Sequence, residues 1–317
     1  MQASKILRRS LAHYSFKKQR LFEPFPVTGL ISTPQSDPQT CRYQTHRTLI
    51  LDRSPSQLVQ LNRLSDSDSG IVELTLNRPE RRNAIGRDFL RGFIESLEAV
   101  SKDSSANVVL IRSLVPKVFC AGADLKERRE QTPAENESFV NSLRASFTFL
   151  EKLCIPSIAV VEGAALGGGL EMALACDLRI CGEDAVLGLP ETGLAIIPGA
   201  GATQRLPRLI GKAQAKEIIL TGKRITGTTA MSIGLVNYCL PSGEVHKKAL
   251  EIAREINEKG PLAIRMAKKA IDEGLEVNMS SSETIVKDCY AQLLYTKDRL
   301  EGLAAFAEKR KPKYKGE

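Results

Sequence analysis

Histidine is scarce in this sequence of 317 residues. The three histidines are His13, His46 and His246, and the first two lie in a basic N-terminal stretch. A Ser-His-Asp triad, a Cys-His pair or a zinc site built on histidines is therefore nearly excluded from the rest of the chain. Any acid–base chemistry must come from carboxylates, lysine, tyrosine or cysteine.

Long apolar runs and closely spaced cysteine pairs are also missing. No run approaches the roughly 20 residues needed to cross a bilayer, so we expect no membrane span. The seven cysteines form no C-x-x-C pair and lie mostly inside apolar segments, which favours buried, reduced thiols. Their positions are Cys41, Cys120, Cys154, Cys176, Cys181, Cys239 and Cys289.

Acidic residues are rare near the N-terminus. Residues 1–48 hold eight Lys or Arg against Glu23 and Asp37, so they carry +6 of the net charge of +8. The basic balance therefore describes mostly a leader and is weak evidence for a nucleic-acid partner. Residues 1–50 are typical of a mitochondrial transit peptide, with a plastid transit peptide or a disordered tail as the alternatives.

The most informative stretch is the glycine-rich segment Gly163–Glu171. The β-branched run Ser157–Val161 predicts a buried strand before it, and Met172–Ala175 predicts the start of a buried helix after it. Backbone N–H groups in such a turn can bind a ligand, and phosphate is the usual one. Because the carboxylate of Glu171 would repel phosphate, the turn better suits holding a transient oxyanion while a proton moves.

Strand and helix patterns alternate up to about residue 240 and then give way to helices. This order predicts an α/β core with an appended helical segment, and no strict sequence repeat is visible. Thr226 and Asp124 are predicted as helix N-caps. The predicted strands span 59–61, 71–76, 108–111, 157–161 and 178–180, and the predicted helices span 87–101, 134–153, 212–221, 226–233, 244–258, 261–276, 281–295 and 299–309.

Five motifs, in order and at the right spacing, resemble the enoyl-CoA hydratase (crotonase) family. They are Asn77-Arg78-Pro79 with Asn83-Ala84, Phe119–Lys126, Ala165–Glu171, Pro190-Glu191, and Pro198–Leu206. The resemblance extends over about residues 58–317. The C-terminal residues from Cys289 onward look most like the methylglutaconyl-CoA hydratase branch, which includes an RNA-binding protein.

The resemblance implies an α/β fold in which a spiral of ββα units spans residues 58–255. A C-terminal helical oligomerisation segment would span 256–317 and support a homotrimer or a dimer of trimers. The implied substrate is an acyl-CoA thioester, with no metal and no cofactor other than the coenzyme A of the substrate. The implied location is the mitochondrial matrix.

The resemblance also implies residue roles. The backbone N–H groups of Ala123 and Gly168 would form an oxyanion hole, and Glu171 and Glu191 would be the catalytic acids. Packed together, two carboxylates cannot easily both ionise, so we expect their pKa values to separate. The wider set of expected substrate-binding residues is Ala121, Ala123, Asp124, Leu125, Lys126, Gly168, Arg82 and Lys309, with Arg81, Lys117 and Tyr290 as weaker candidates.

The predicted activity is syn addition of water to a 2-enoyl-CoA, giving a 3-hydroxyacyl-CoA, in fatty-acid β-oxidation or leucine breakdown. A hydratase specific for 3-methylglutaconyl-CoA stays open, because the acyl pocket cannot be read from sequence. An enoyl-CoA isomerase is disfavoured because isomerases usually lack one of the two acids. RNA binding is disfavoured because the comparable segment, Glu98–Val109, is close to neutral.

Overall fold

The computed structural model of the protein describes residues 58–317. The predicted transit peptide in residues 1–50, with Cys41, lies outside the described residues. The strands are β1 Val59–Arg63, β2 Ile71–Leu76, β3 Val108–Ser113, β4 Val118–Cys120, β5 Ser157–Val161, β6 Ala164–Leu166, β7 Leu178–Gly182, β8 Val186–Gly188, β9 Arg224–Thr226 and β10 Tyr238–Leu240.

The helices include all those predicted from sequence periodicity. They are α1 Arg87–Lys102, α2 Leu125–Arg129, α3 Pro133–Glu151, α4 Gly168–Leu174, α5 Ala202–Ile210, α6 Lys212–Thr221, α7 Gly227–Ser232, α8 Val245–Asn257, α9 Pro261–Gly274, α10 Met279–Ala291 and α11 Lys297–Ala307. Short 3-10 segments lie at Asp66–Asp68, Pro79–Arg81 and Pro190–Leu194. Across residues 58–317, no helix is both long enough and apolar enough to cross a membrane.

Two sheets organise residues 58–317. The larger has the order β1-β2-β3-β5-β7-β10, with β1 antiparallel to β2 and the other pairs parallel. The smaller has the order β4-β6-β8-β9, with only β9 antiparallel. Each of the consecutive pairs β3/β4, β5/β6 and β7/β8 contributes one strand to each sheet before a helix follows. This repetition of topology, without sequence repetition, confirms the predicted ββα architecture.

The larger sheet is covered on both faces. Successive side chains of a strand point to opposite faces, and the parallel strands pack apolar residues on each side. Ile71, Val108 and Leu110 belong to a buried cluster with Val245 and Ala249 of α8. The alternate residues of the same strands, with α1, α3 and α4, form the main hydrophobic core. The central strands are therefore nearly continuous apolar runs.

One predicted helix start was wrong, and one helix was not predicted. Helix α4 begins at Gly168 rather than Met172. Its Gly169 packs against β4, where a Cβ would lie 2.2 Å from the carbonyl oxygen of Cys120. Helix α5 was not predicted because it follows a glycine-rich turn and contains Pro207, and proline disfavours a helix interior.

Candidate active site

Ile85 orients the backbone of Ala123. The N–H of Ile85 donates to the carbonyl oxygen of Gly122 at 2.7 Å, and the N–H of Asp124 donates to that of Ile85 at 3.0 Å. In such a parallel bridge, the residue between the two bonded positions points its own N–H to the opposite side. The N–H of Ala123 therefore faces away from Ile85, and it donates to no acceptor within residues 58–317.

Gly168 places a second backbone donor beside Ala123. It is the first residue of α4, where N–H groups have no acceptor within the helix. A Cβ built on Gly168 would lie 3.9 Å from the nitrogen of Ala123, and one built on Gly122 would lie 3.5 Å from the nitrogen of Gly168. The two donors are therefore close neighbours. Gly122, where these two backbone segments come close together, has a φ of 95°, a conformation that favours glycine.

Glu171 lies in the first turn of α4, with 3% of its surface exposed. Its Oε1 accepts hydrogen bonds from the N–H groups of Ala200 at 2.8 Å and Ala202 at 3.0 Å. Burial raises the pKa of Glu171, whereas the N–H donors of Ala202 and Ala200 and the charge of Arg205 oppose that rise. These donors stabilise the ionised carboxylate in a water-poor setting.

Glu191 lies in the 3-10 segment Pro190–Leu194 and is half-buried. Its Oε1 lies 3.0 Å from the position that a Cβ on Gly167 would occupy, so it adjoins the start of α4. Its Oε2 is buried and has no hydrogen-bond partner within residues 58–317. Burial raises the pKa of Glu191 to about 7, and the negative charge of Glu171 adds to the rise. The protonated form of Glu191 is therefore accessible at neutral pH.

Asp124 joins the segment around Ala123 to the Asn-Arg-Pro motif. Its carboxylate accepts from the N–H groups of Lys126 and Glu127 at 3.2 and 3.4 Å, which confirms it as the N-cap of α2. Its other oxygen lies 3.0 Å from Nη2 of Arg78. The Asp124 carboxylate is thus committed to protein partners. Its predicted contact with substrate stays a prediction.

Asn83 and Arg78 are structural residues of the site to which the sequence analysis gave no role. Asn83 is fully buried; its Oδ1 accepts from the N–H of Arg78 at 2.7 Å. Its Nδ2 donates to Oγ of Ser113 at 2.8 Å and to the carbonyl oxygen of Phe119 at 3.0 Å. These bonds join the ends of β2, β3 and β4. The fixed spacing of the Asn-Arg-Pro and Asn-Ala motifs was the only sequence signal for this role.

The other predicted substrate-binding residues divide into two groups. Ala121, Leu125 and Lys126 flank Ala123 in the chain, and the N–H of Ala121 donates to the carbonyl oxygen of Arg82 at 3.1 Å. Leu125, Lys126 and Arg82 are exposed, as suits a binding rim. Lys309 follows α11, and its N–H donates to the carbonyl oxygen of Phe306. Within residues 58–317, no hydrogen bond or ion pair joins Lys309 to the other candidates.

Other acid–base candidates within residues 58–317 are engaged elsewhere. Burial raises the pKa of Cys120, beside the glycine turn, to about 12, so its thiol stays protonated. Nε2 of His246 lies 2.6 Å from Oε1 of Glu73, between α8 and the larger sheet. Among the described residues, no group of three His, Cys, Asp or Glu side chains could hold a metal ion. Cys120 and His246 are therefore poor candidates for proton transfer at this site.

Known proteins are similar to this chain in sequence and in fold. A family model described as Enoyl-CoA hydratase/isomerase matches residues 66–317. An Arabidopsis thaliana protein named "Probable enoyl-CoA hydratase 2, mitochondrial" is 64% identical over 273 residues, covering 86% of this chain and 91% of that protein. A Rattus norvegicus protein named "Methylglutaconyl-CoA hydratase, mitochondrial" is 45% identical over 263 residues, covering 82% of this chain and 84% of that protein.

A solved structure gives the same result. The crystal structure of an enoyl-CoA hydratase from Bacillus anthracis has a TM-score of 0.80 and 44% identity, and the match covers 82% of this chain and all of that chain. The resemblance inferred from five motifs is thereby confirmed, together with the α/β fold and the assignment as an enzyme. The chain belongs to the enoyl-CoA hydratase/isomerase (crotonase) family.

Proposed function

We propose that this enzyme adds water to a 2-enoyl-CoA thioester and releases a 3-hydroxyacyl-CoA. The observation that carries the proposal is the contrast between two neighbouring carboxylates. Glu171 accepts two backbone N–H bonds, which favour its ionised form. Glu191 has a buried oxygen without a partner within residues 58–317, which favours its protonated form. Hydration needs one carboxylate of each kind.

The first requirement of hydration is to stabilise negative charge on the thioester oxygen, and the proposed oxyanion hole meets it. The N–H groups of Ala123 and Gly168 would donate to the thioester oxygen and stabilise the enolate that forms when C3 is attacked. Donors held by the fold need no reorganisation during the reaction, and the loss of one typically costs about 100- to 1,000-fold in rate. Both donors belong to the backbone, so the identity of the side chain at position 123 matters little.

The second requirement is proton transfer from water and to C2, and the two glutamates meet it. Glu171 accepts a proton from the bound water as its oxygen bonds to C3, and Glu191 gives its proton to C2. Acids on one side of the alkene would deliver both groups to the same face, which gives syn addition. The cycle ends with Glu171 protonated and Glu191 ionised, and proton exchange through water restores the starting state. The chemistry needs no cofactor beyond the coenzyme A of the substrate.

Hydration and isomerisation are distinguished by the product. An isomerase moves the double bond without a change of mass, whereas a hydratase adds one water, about 18 Da. The protein without residues 1–50 would be incubated with crotonyl-CoA, and the products identified by mass spectrometry and by loss of enoyl-thioester absorbance. We expect the hydrated product. Conversion of a 3-enoyl-CoA alone, with no water added to crotonyl-CoA, would contradict the proposal.

The acyl group is a separate question with two candidates. Straight-chain 2-enoyl-CoA fits fatty-acid β-oxidation, and 3-methylglutaconyl-CoA fits leucine breakdown and matches the name of one relative. The second substrate carries an extra carboxylate and needs a cation or donors at the end of the acyl pocket. Comparing kcat/KM for crotonyl-CoA, longer 2-enoyl-CoAs and 3-methylglutaconyl-CoA would separate them.

Location and assembly complete the proposal. A mitochondrial location is supported by the basic leader and by relatives whose names include "mitochondrial". Assembly as a trimer or a dimer of trimers through residues 256–317 is supported by apolar side chains exposed on α10, α11 and their connections. Examples are Met279, Tyr295 and Phe306, which are 79%, 94% and 87% exposed. Light scattering on the purified protein would give the subunit number.

A further inference from the structure

Arg205 connects the surroundings of Glu171 to the end of α3. Its Nε and Nη2 donate to the two carboxylate oxygens of Glu151 at 2.9 and 2.7 Å. Its Nη1 donates to the carbonyl oxygen of Ala200 at 3.0 Å. The Arg205 side chain is only 13% exposed. This bidentate pair fixes the plane of the guanidinium.

The peptide groups of Ala200 link this ion pair to Glu171. The carbonyl oxygen of Ala200 accepts from Arg205, while its N–H donates to Oε1 of Glu171 at 2.8 Å. The Ala200 carbonyl shares its peptide group with the N–H of Gly201, so the bond from Arg205 polarises that N–H. The N–H of Gly201 also helps to oppose the rise in the pKa of Glu171. The turn is tight at Gly201, where φ is 123° and a Cβ would lie 1.9 Å from Nη1 of Arg205.

We propose that Arg205, held by Glu151, is a positioning residue that fixes the Ala200–Ala202 turn and so keeps the Glu171 carboxylate aligned and ionised. The inference rests on the proposed hydration. Arg205 acts through the turn and through its charge, without touching the substrate. A misplacement of about 1 Å at a catalytic group can cost on the order of 100-fold in rate.

The charges around Glu171 come from three elements. Glu191 approaches from the 3-10 segment, and Arg205 from α5 with Glu151 of α3 behind it. Arg144 of α3 donates to the carbonyl oxygen of Gly199 at 2.8 Å on the exposed side of the turn. Burial raises the pKa of Glu171, and Arg205 is the cation that opposes this rise. Without Arg205, Glu171 would take up a proton at a higher pH.

The test compares kcat, KM and the pH profile of crotonyl-CoA hydration among variants. We expect Arg205→Met to lower kcat about 10- to 100-fold with KM changed less than about threefold, because alignment rather than binding is lost. The acidic limb of kcat/KM should move to higher pH by roughly half a unit or more. Arg205→Lys should recover part of the loss, since it keeps the charge without the fork.

Substitution of Glu151 gives a second, independent test. Glu151→Gln should lower kcat in the same direction but by less, because Arg205 keeps its bond to Ala200. The double variant Glu151→Gln/Arg205→Met should resemble Arg205→Met alone, since both changes act on one unit. Additive losses in the double variant would contradict a common pathway through Arg205.

Arg208 is the matched control on the same helix. It is exposed, and its Nη1 donates to the carbonyl oxygen of Gln204 at 3.0 Å. No hydrogen bond within residues 58–317 joins it to the Ala200–Ala202 turn. Arg208→Met should therefore keep the kcat and pH profile of the wild type.

Three outcomes would overturn the positioning role. They are a wild-type kcat and pH profile in Arg205→Met, an equal shift in Arg208→Met, or a change in KM alone. If Arg205→Met does not fold, Arg205→Lys and Glu151→Gln decide by the same profile. A wild-type rate in Glu171→Gln would instead defeat the proposed function. Loss of activity in Glu171→Gln with no effect at Arg205 would defeat only the positioning role.

Discussion

Glu171 and Glu191, the proposed acid pair, differ in burial and in hydrogen bonding. Glu171 is anchored in a helix, almost fully buried, and held at one oxygen by two backbone N–H groups. Glu191 lies on a short 3-10 segment followed by exposed residues, and its buried Oε2 has no partner within residues 58–317. Burial raises the pKa of both carboxyl groups, but only Glu171 has two N–H donors from the Ala200–Ala202 turn that oppose the rise.

The contrast shows how a fold can assign roles to equal residues. Anchoring stabilises the anion and leaves one oxygen of Glu171 free to hold water. Burial of Glu191 raises its pKa and favours the neutral acid, and the nearby negative charge of Glu171 adds to the rise. The division should be visible in the responses of each half to mutation and to pH.

The largest effect is expected at the anchored carboxylate. Glu171→Gln removes the base, and kcat for crotonyl-CoA should fall about 100- to 10,000-fold, the usual range of general acid–base effects. The amide oxygen of Gln can still accept the N–H bonds of Ala200 and Ala202, so thermal unfolding should change little. A residual rate within about threefold of the wild type would remove Glu171 from the mechanism.

The pH dependence should follow the same division. Hydration requires Glu171 ionised and Glu191 protonated, so kcat/KM should be bell-shaped. The pKa of Glu191, raised to about 7 by burial and by Glu171, predicts a decline as the pH rises above about 7. The acidic limb reports the protonation of Glu171. A flat profile between pH 6 and 9 would contradict the role of Glu191 as the acid.

A smaller effect is expected from disturbing the space beside Glu191. Gly167 has a φ of 52°, and a Cβ there would meet Oε1 of Glu191 at 3.0 Å. Gly167→Ala should therefore lower kcat about tenfold by displacing the acid and should cost about 1–3 kcal/mol of unfolding free energy. Gly193→Ala is the control, because its Cβ would meet nothing within 4 Å. Equal effects of both substitutions would rule out this explanation.

The smallest effect concerns stability. A carboxyl group with a raised pKa binds its proton more tightly when folded, so its contribution to stability falls as pH rises from the unfolded value toward about 7. The Glu191→Gln variant has no carboxyl group at this position to ionise, so it does not lose stability in this way as the pH rises. The melting temperature of the variant, relative to the wild type, should rise between pH 5 and 8 by a few degrees at most. A constant difference would contradict the shifted pKa.

Sequence patterns located most elements because those elements are locally encoded. Ser157–Val161 is a strand with the predicted bounds, since its continuous apolar run and flanking turn signals mark a buried strand. Lys212–Thr221 also has the predicted bounds. The motifs alone grouped Ala123, Gly168 and the two glutamates in one site, although the catalytic roles of these residues are still to be tested.

The remaining features depend on contacts between distant parts of the chain. The pairing of Ile85 with Ala123 orients the N–H of Ala123, and no pattern within either segment predicts this pairing. The ion pair of Arg205 with Glu151 joins residues 54 positions apart, and each looks like an ordinary surface charge by itself. The role of Gly168 as a helix start was hidden by the low helix propensity of glycine.

The smaller sheet positions three of the proposed catalytic groups. Ala123, Gly168 and Glu191 follow β4, β6 and β8, three parallel neighbours of only three residues each. A slip of one residue between two of these strands would move a catalytic group by about 3.3 Å, a full hydrogen-bond length. The alignment of the proposed catalytic groups therefore depends on the register of the shortest strands.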